Sequence, residues 1–249
     1  MTIRRTILMG VAVLLGAATP AAAADLNTYG GSLKDDIPDM ESSARMYLRG
    51  DIGYSWTREV EMTENGYALS NDELDNTWDF GGGIGWYLSP NFRTDLTVEH
   101  RRAANASAVA YPGDPLLEMV GDLDVQSTFL LANFYYDFSA RSDFSPYVGF
   151  GLGWAWNTTG NGTVTDVCGC VSGLDGERET DFAWALMAGV SRSLRDGFNV
   201  DLGYRYLNLG GAHTGNLIDN SGVEVPDTDP VIDAISAHEI RLGFRYDIY

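Results

Sequence analysis

Positive charge is scarce in this 249-residue sequence, which carries 16 Lys and Arg against 35 Asp and Glu and a formal net charge of -19. This balance disfavours nucleic acid and other polyanions as partners. Long apolar runs are also missing, because no stretch reaches the roughly 18 to 20 apolar residues of a membrane-spanning helix. Glycine and aromatic residues are plentiful instead, with 29 Gly and 12% aromatics, a composition unlike that of helical or disordered proteins.

The N-terminal segment has the features of a secretory signal peptide. Arg4 and Arg5 precede an apolar run at 7–18, and a small-residue cleavage site ends at Ala24. A run of this length rises only ~18 Å as a helix, which is too short to cross a bilayer. We therefore expect three parts, with a signal peptide at 1–24, an acidic periplasmic tail at 25–43 and a folded domain at 44–249.

From residue 44 onward, large apolar residues alternate with polar or small ones, which is typical of strands that have one face in an apolar medium. Every second residue from Val148 to Trp156 is large and apolar, for example, and most residues between them are glycine. Eight segments show this alternation and are predicted to be strands: 44–58, 77–88, 92–102, 124–138, 146–157, 180–194, 198–208 and 235–249.

Short and long connections join the predicted strands in turn. Short connections with turn-forming residues follow the second, fourth and sixth strands, at 89–91, 139–145 and 195–197. Long connections follow the other strands, at 59–76, 103–123, 158–179 and 209–234. Short turns at one rim, long loops at the other and an even strand count match a bacterial transmembrane β-barrel with both termini in the periplasm.

The bulk of the apolar face decides which side of each strand points outward. Aromatic residues occupy this face on nearly every strand, and an eight-stranded interior is too narrow to hold them. A soluble barrel is therefore disfavoured, and the aromatic face meets lipid, with an interfacial girdle that includes Tyr54, Trp56, Trp154, Trp156, Tyr204 and Tyr206. The predicted fold is all-β, an eight-stranded antiparallel up-and-down transmembrane β-barrel with four long extracellular loops and three short periplasmic turns.

Charge separates the predicted strands from the predicted loops. The four long loops hold 18 acidic residues and one base, Arg178, whereas the strands and short turns hold 12 residues of each sign. Balanced charge suits a closed interior, because each buried ion needs a partner. The predicted interior charge network, which would either plug the barrel or line a narrow ion path, comprises Arg49, Asp51, Asp79, Arg93, Asp95, Glu99, Arg101, Asp137, Asp201, Arg205, Glu239, Arg241, Arg245 and Asp247.

Five strand segments resemble a known family, the small outer-membrane β-barrel proteins of alphaproteobacteria. The similar segments are RGDIGY at 49–54, LANFYYD at 131–137, PYVG at 146–149, GYRY at 203–206 and RLGFRY at 241–246. Members of this family share their architecture with the transmembrane domain of outer-membrane protein A and are often described as porin-like proteins or surface antigens. The resemblance extends over about residues 30–249. It implies location in the outer membrane of a Gram-negative cell and says little about activity.

The sequence contains few residues of the types that catalyse reactions in enzymes. Some small outer-membrane barrels are lipid-modifying enzymes, which calls for a search for a serine and histidine pair. His213 lacks the sequence pattern of the deacylases, and His100 and His238 are expected to be polar residues at the rim. We therefore predict no catalytic residues, no transition-metal site and no cofactor.

Two groups in the loops remain as candidates for other chemistry. Cys168 and Cys170 are the only cysteines, and in an oxidising compartment they are read as a local loop disulfide. The last loop contains oxygen ligands that suit divalent cations, supplied by Glu224, Asp227, Asp229 and Asp233.

Three functions are open at this point. We favour an integral outer-membrane protein with a structural or surface-interaction role, whose acidic loops are displayed outside the cell. A small-solute, porin-like channel is the alternative, and a lipid-modifying enzyme is the third. The expected partners are outer-membrane lipid and lipopolysaccharide, with divalent cations at the acidic loops and no nucleic acid, and the chain is expected to be a monomer.

Overall fold

The computed structural model describes residues 46–57, 62–64, 67–68, 70–111, 119–138, 144–194, 197–219, 221–225 and 231–248. The predicted signal peptide and acidic tail lie outside these residues. Within them the regular elements are β-strands, and no helix is long and apolar enough to cross a membrane.

Eight long strands form the barrel wall. They are β1 (Met46–Thr57), β2 (Thr77–Tyr87), β3 (Phe92–Ala110), β4 (Met119–Asp137), β5 (Phe144–Thr159), β6 (Arg178–Ser193), β7 (Phe198–Asn208) and β8 (Ser236–Ile248). Each strand pairs antiparallel with the next, and β8 also pairs with β1 from Met46↔Ile248 to Thr57↔Ala237. This last pairing closes the wall and leaves it without a free edge. The predicted eight-stranded up-and-down barrel is confirmed.

Hydrogen bonds shape the turns at the short rim. Between β2 and β3, the backbone N–H of Phe92 donates to Ser89 Oγ at 3.1 Å. Between β6 and β7, the N–H of Leu194 donates to the carbonyl of Phe198 at 2.8 Å. Gly197 has a φ of 77° in this turn, a conformation that glycine adopts without steric cost.

Strands β3 and β4 run well past their predicted ends, and they pair as far as Ala110↔Met119. Most of the segment 103–123, predicted as a loop, is therefore paired strand, and that prediction was wrong. The inward residues here, Ala104, Ala106 and Ala108, are buried. Alanine has little of the apolar bulk that marks a strand in the sequence, which is why the alternation fades before the strand ends.

Short strands continue the sheet above the long rim and form a cap that we call the crown. Its strands are Met62–Glu64, Tyr67–Ala68, Ser70–Leu74, Gly162–Asp166, Val171–Gly176, Ala212–Ile218, Glu224–Val225 and Val231–Ile232. Gly162–Asp166 pairs with β4 and forms a hairpin with Val171–Gly176, which pairs in turn with Ala212–Ile218. The predicted long connections thus share one rim, and all four of them contain paired strand residues.

The alternation of side chains gives the barrel an apolar outside and a mixed inside. Aromatic and aliphatic side chains cover the outer face, where Trp78, Leu152 and Trp154 are each about half exposed. Inside, charged and tyrosine side chains fill the half near the short rim. A cluster of buried apolar side chains fills the half below the crown and includes Phe129, Leu131, Leu207, Leu209 and Ile235.

Candidate functional site

Arg49 on β1 connects several strands within the barrel. Its Nε and Nη2 donate to both oxygens of Asp51, at 2.6 and 2.9 Å. Its Nη1 donates across the interior to Asp95 Oδ2 on β3 at 2.8 Å and to Tyr135 OH on β4 at 2.6 Å. A planar guanidinium with this many acceptors is held in one orientation, so Arg49 ties β1 to β3 and β4.

A second cluster surrounds Arg205 on β7. Its Nη1 donates to Glu99 Oε1 at 3.0 Å, its Nε donates to Glu239 Oε2, and its Nη2 lies 3.5 Å from Asp79 Oδ1. Arg241 supplies a second cation, since its Nη2 donates to Glu99 Oε2 at 2.9 Å. Arg205 and the three carboxylates are at most 1% exposed, so each charge depends on the others for compensation.

Two more arginines lie toward the short rim. Arg93 Nε donates to Asp137 Oδ2 at 2.9 Å, and its guanidinium stacks 4.1 Å above the centre of the Tyr135 ring. Arg245 donates to both oxygens of Asp201, at 2.7 and 3.0 Å. These contacts combine ion pairing with cation–π stacking.

The structure places all fourteen residues of the predicted charge network on the inward face. Asp137 and Asp247 are partly exposed near the short rim, and the other twelve, including Arg101, are buried. The buried twelve comprise six arginines and six carboxylates, so this part of the interior is neutral. Their partners lie on the same strand and across the barrel as well as on neighbouring strands, which the alternation of residues cannot specify.

Large rings and glycines fill the remaining interior together. A Cβ atom added at Gly189 on β6 would lie 2.6 Å from Tyr147 OH, and one added at Gly149 would lie 2.6 Å from the Tyr135 ring. A cavity of about 10 Å³ lies between Arg49, Asp201 and Arg241. A cavity of that size holds about one water molecule.

The crown carries the predicted cysteine pair at the tip of its hairpin. Cys168 and Cys170 are joined by a disulfide bond, and both residues are exposed. Asp166 organises this turn, because its Oδ1 accepts hydrogen bonds from the backbone N–H groups of Cys168, at 2.9 Å, and Cys170, at 3.0 Å. The turn is completed by Gly169, which has a φ of 75°.

The three histidines have separate neighbours. His100 Nδ1 lies 3.0 Å from Thr128 Oγ1, His238 Nδ1 lies 2.5 Å from Tyr204 OH, and His213 Nε2 lies 3.1 Å from Glu179 Oε2. These are contacts at the outer surface and in the crown, and none of them is with a serine.

Of the predicted cation ligands in the last loop, Asp227 and Asp229 lie outside the described residues, and Glu224 accepts a hydrogen bond from Asn216 at 2.7 Å. Asp219 caps a turn nearby, and hydrogen bonds from the Ser221 hydroxyl and the Val223 N–H lower the pKa of its carboxyl group. A cation site in this loop stays a prediction.

Comparison with known sequences decides the family. The model of the outer membrane protein beta-barrel domain matches residues 9–247, nearly the whole chain. The chain belongs to this outer-membrane β-barrel family. It is therefore located in the outer membrane, as the resemblance of its strand segments implied.

Relatives of this outer-membrane β-barrel protein are similar over most of their length. An uncharacterised protein of Brucella abortus is 26% identical and aligns over 94% of this chain and 95% of its own. A protein of Rickettsia rickettsii, provisionally named an adhesin, is 27% identical over 81% of this chain and 87% of its own. The solved structure of OprG from Pseudomonas aeruginosa has a TM-score of 0.53 at 12% identity, covers 83% of this chain and 96% of its own, and supports the fold alone.

Sequence reasoning missed the crown hairpin and the fit between tyrosines and glycines. The glycines at 149, 151 and 153 are a signal that was available, since a strand interior rarely holds several glycines unless bulky groups approach it. The crown strands gave no comparable signal, because they are two to seven residues long and several of them pair with segments distant in the chain.

Proposed function

We propose that this outer-membrane β-barrel protein presents its crown at the cell surface for interaction with another molecule, and that the barrel is an anchor closed to solutes. The observation that carries this proposal is the filled interior. Arginine and carboxylate pairs, tyrosine rings and an apolar cluster occupy successive levels of the barrel, and the cavity among Arg49, Asp201 and Arg241 has room for about one water molecule.

The composition of the long connections supports a surface role and indicates the charge of the partner. They contain 18 acidic residues and one base, so a sulfated glycan or another polyanion would be repelled. A positively charged protein surface is the complementary class. The relative provisionally named an adhesin is consistent with such a role. We propose no enzymatic activity for this protein. We also propose that it is a monomer in lipid, because the closed wall has no free edge at which a second copy could pair.

Two measurements test the proposal. In planar bilayers, the purified protein should give no steady conductance, and a sustained aqueous current would favour the porin-like alternative.

In a binding assay, vesicles that carry the protein should capture cationic protein-coated beads in preference to heparin-coated beads, and the preference should weaken as salt is raised. A matched variant with Asp166, Asp175 and Glu177 changed to Asn, Asn and Gln should lose part of this capture without losing its fold. Equal capture of both bead types would contradict the proposed surface role.

A further inference from the structure

The disulfide at the tip of the crown contributes little to the stability of the hairpin. It spans a single intervening residue, and closing so short a ring removes little chain entropy from the unfolded state. The hairpin is already held by strand pairing from Val171↔Thr165 to Leu174↔Gly162. Its turn is held by Asp166, which accepts two backbone hydrogen bonds through Oδ1 and donates its own N–H to the Cys170 carbonyl at 3.1 Å.

The same disulfide is unusually accessible. Cys168 and Cys170 are both exposed, and the residues on either side, Val167 and Val171, are 50% and 51% exposed. Thiol–disulfide exchange requires a thiolate to approach one sulfur along the S–S axis, so access is the first condition for reactivity. A structural disulfide is more often buried among packed side chains, where such an approach is blocked.

The negative charge around the two sulfur atoms favours the approach of some thiols over others. A carboxylate oxygen of Asp166 lies within 4.8 Å of the sulfur atoms of Cys168 and Cys170. The hairpin segment 160–177 contains three acidic residues and no base. An anionic thiol is repelled as it approaches such a site, and a cationic one is attracted.

We infer that the Cys168–Cys170 disulfide is a thiol-exchange site that accepts a thiol carried on a positively charged partner. This inference rests on the proposed surface role and adds a covalent step to it. The thiolate of the partner forms a bond to one cysteine sulfur and the Cys168–Cys170 bond breaks. The electron pair leaves on the other cysteine, whose thiolate takes up a proton. The number of disulfide bonds is unchanged, so the step needs no external oxidant or reductant.

The test uses the full-length protein in vesicles and three small thiols: cysteamine, 2-mercaptoethanol and 2-mercaptoethanesulfonate. After brief exposure, N-ethylmaleimide traps the freed cysteine, and mass spectrometry counts protein that carries one thiol adduct and one maleimide. Each rate is divided by the rate of the same thiol with 4,4′-dithiodipyridine, a neutral disulfide, which removes differences in thiol acidity. We expect cysteamine to react roughly tenfold faster than the sulfonate at low salt, with a smaller ratio at high salt.

Two variants give the controls. Asp166→Asn should reduce the preference for the cationic thiol, since it removes the nearest negative charge. Cys168→Ser with Cys170→Ser should give no adduct and should keep the hairpin resistant to proteolysis, because strand pairing and Asp166 hold it.

Absence of adduct in the wild-type protein, while 4,4′-dithiodipyridine reacts with the same thiols, would overturn the inference. So would equal normalised rates for the three thiols. Rapid proteolysis of the double serine variant at the hairpin would overturn it as well, since the disulfide would then be a structural staple. These readouts are separate from bilayer conductance and bead capture, so failure of exchange leaves the proposed surface role testable on its own.

Discussion

At the residue scale, the barrel interior depends on side chains that satisfy one another across the lumen. Arg205 receives no compensation from solvent, and its partners Glu99 and Glu239 belong to strands on different sides of the interior. Burying such a group is unfavourable unless each member keeps its partners. The network therefore constrains which strands come together as well as neutralising charge.

Truncation of Arg205 tests this dependence. Arg205→Ala would leave Asp79, Glu99 and Glu239 with less compensation in a buried cluster, so we expect a loss of ~3 to 5 kcal/mol in the free energy of unfolding. Denaturant titration in micelles measures it. Arg178→Ala removes an exposed arginine and serves as the control, with a change within ~0.5 kcal/mol. Equal effects of the two substitutions would show that the cluster does not require Arg205.

A second residue-scale prediction concerns the glycines that accommodate tyrosine rings. A Cβ atom at Gly189 would lie 2.5 Å from the Leu202 carbonyl oxygen and 2.6 Å from Tyr147 OH, whereas one at Gly50 would meet nothing within 4 Å. Gly189→Ala should therefore destabilise the barrel by ~1 to 3 kcal/mol through overpacking. Gly50→Ala should leave the unfolding midpoint nearly unchanged. A reversed order would mean that Tyr147 moves aside without cost.

At the scale of the elements, each strand separates two environments. On β5, Leu152 faces lipid at 46% exposure and Gly153 faces the interior, where a Cβ atom would collide with the Leu130 carbonyl oxygen of β4. A side chain on the outer face is therefore limited by the polarity of its surroundings, and one on the inner face is limited by space. The same strand tolerates different substitutions at successive positions.

The lipid-facing side of β5 can be tested with one added charge. Leu152→Arg should cost ~2 to 4 kcal/mol if the residue lies near the bilayer midplane, because the guanidinium would enter hydrocarbon. Thr163→Arg places the same side chain at an exposed position of the crown hairpin and should cost little. Titration with denaturant in lipid vesicles compares the two variants. A cost for Thr163→Arg that equals or exceeds that of Leu152→Arg would contradict the assignment of the faces.

At the scale of the whole molecule, stability comes from closure. Pairing of β1 with β8 over twelve residue pairs satisfies the backbone groups of two strands that are far apart in the chain. In hydrocarbon an unpaired backbone edge is strongly unfavourable, so partial opening of the barrel is disfavoured. We therefore expect cooperative unfolding of the wall, in which the eight long strands lose their structure together.

Closure also predicts behaviour on gels. The unheated protein should migrate as a compact species in dodecyl sulfate and shift to its full apparent mass after boiling, because detergent cannot open a wall without edges. Deletion of residues 236–249 removes β8 and exposes the edges of β1 and β7. This variant should lose the compact species. Heat-independent migration of the wild-type protein would contradict the role of closure.

Much of this architecture follows from the sequence alone, because strand alternation is a local property. It determined eight strands, the outward aromatic face and the inward direction of all fourteen network residues, from Arg49 to Asp247. The charge difference between strands and loops is also written in the sequence. Each of these features can be recognised from residues that are close together in the chain.

The tertiary structure decided which residues distant in the chain come into contact. Arg49 and Asp95 are 46 residues apart, and Arg205 and Glu99 are 106 residues apart, yet the stagger of the closed wall brings them into contact. The extension of β3 and β4 depends on pairing that small alanines permit, and the crown hairpin depends on β4 as a template. Such contacts arise from the register of distant strands, which closure of the barrel fixes and local alternation does not encode.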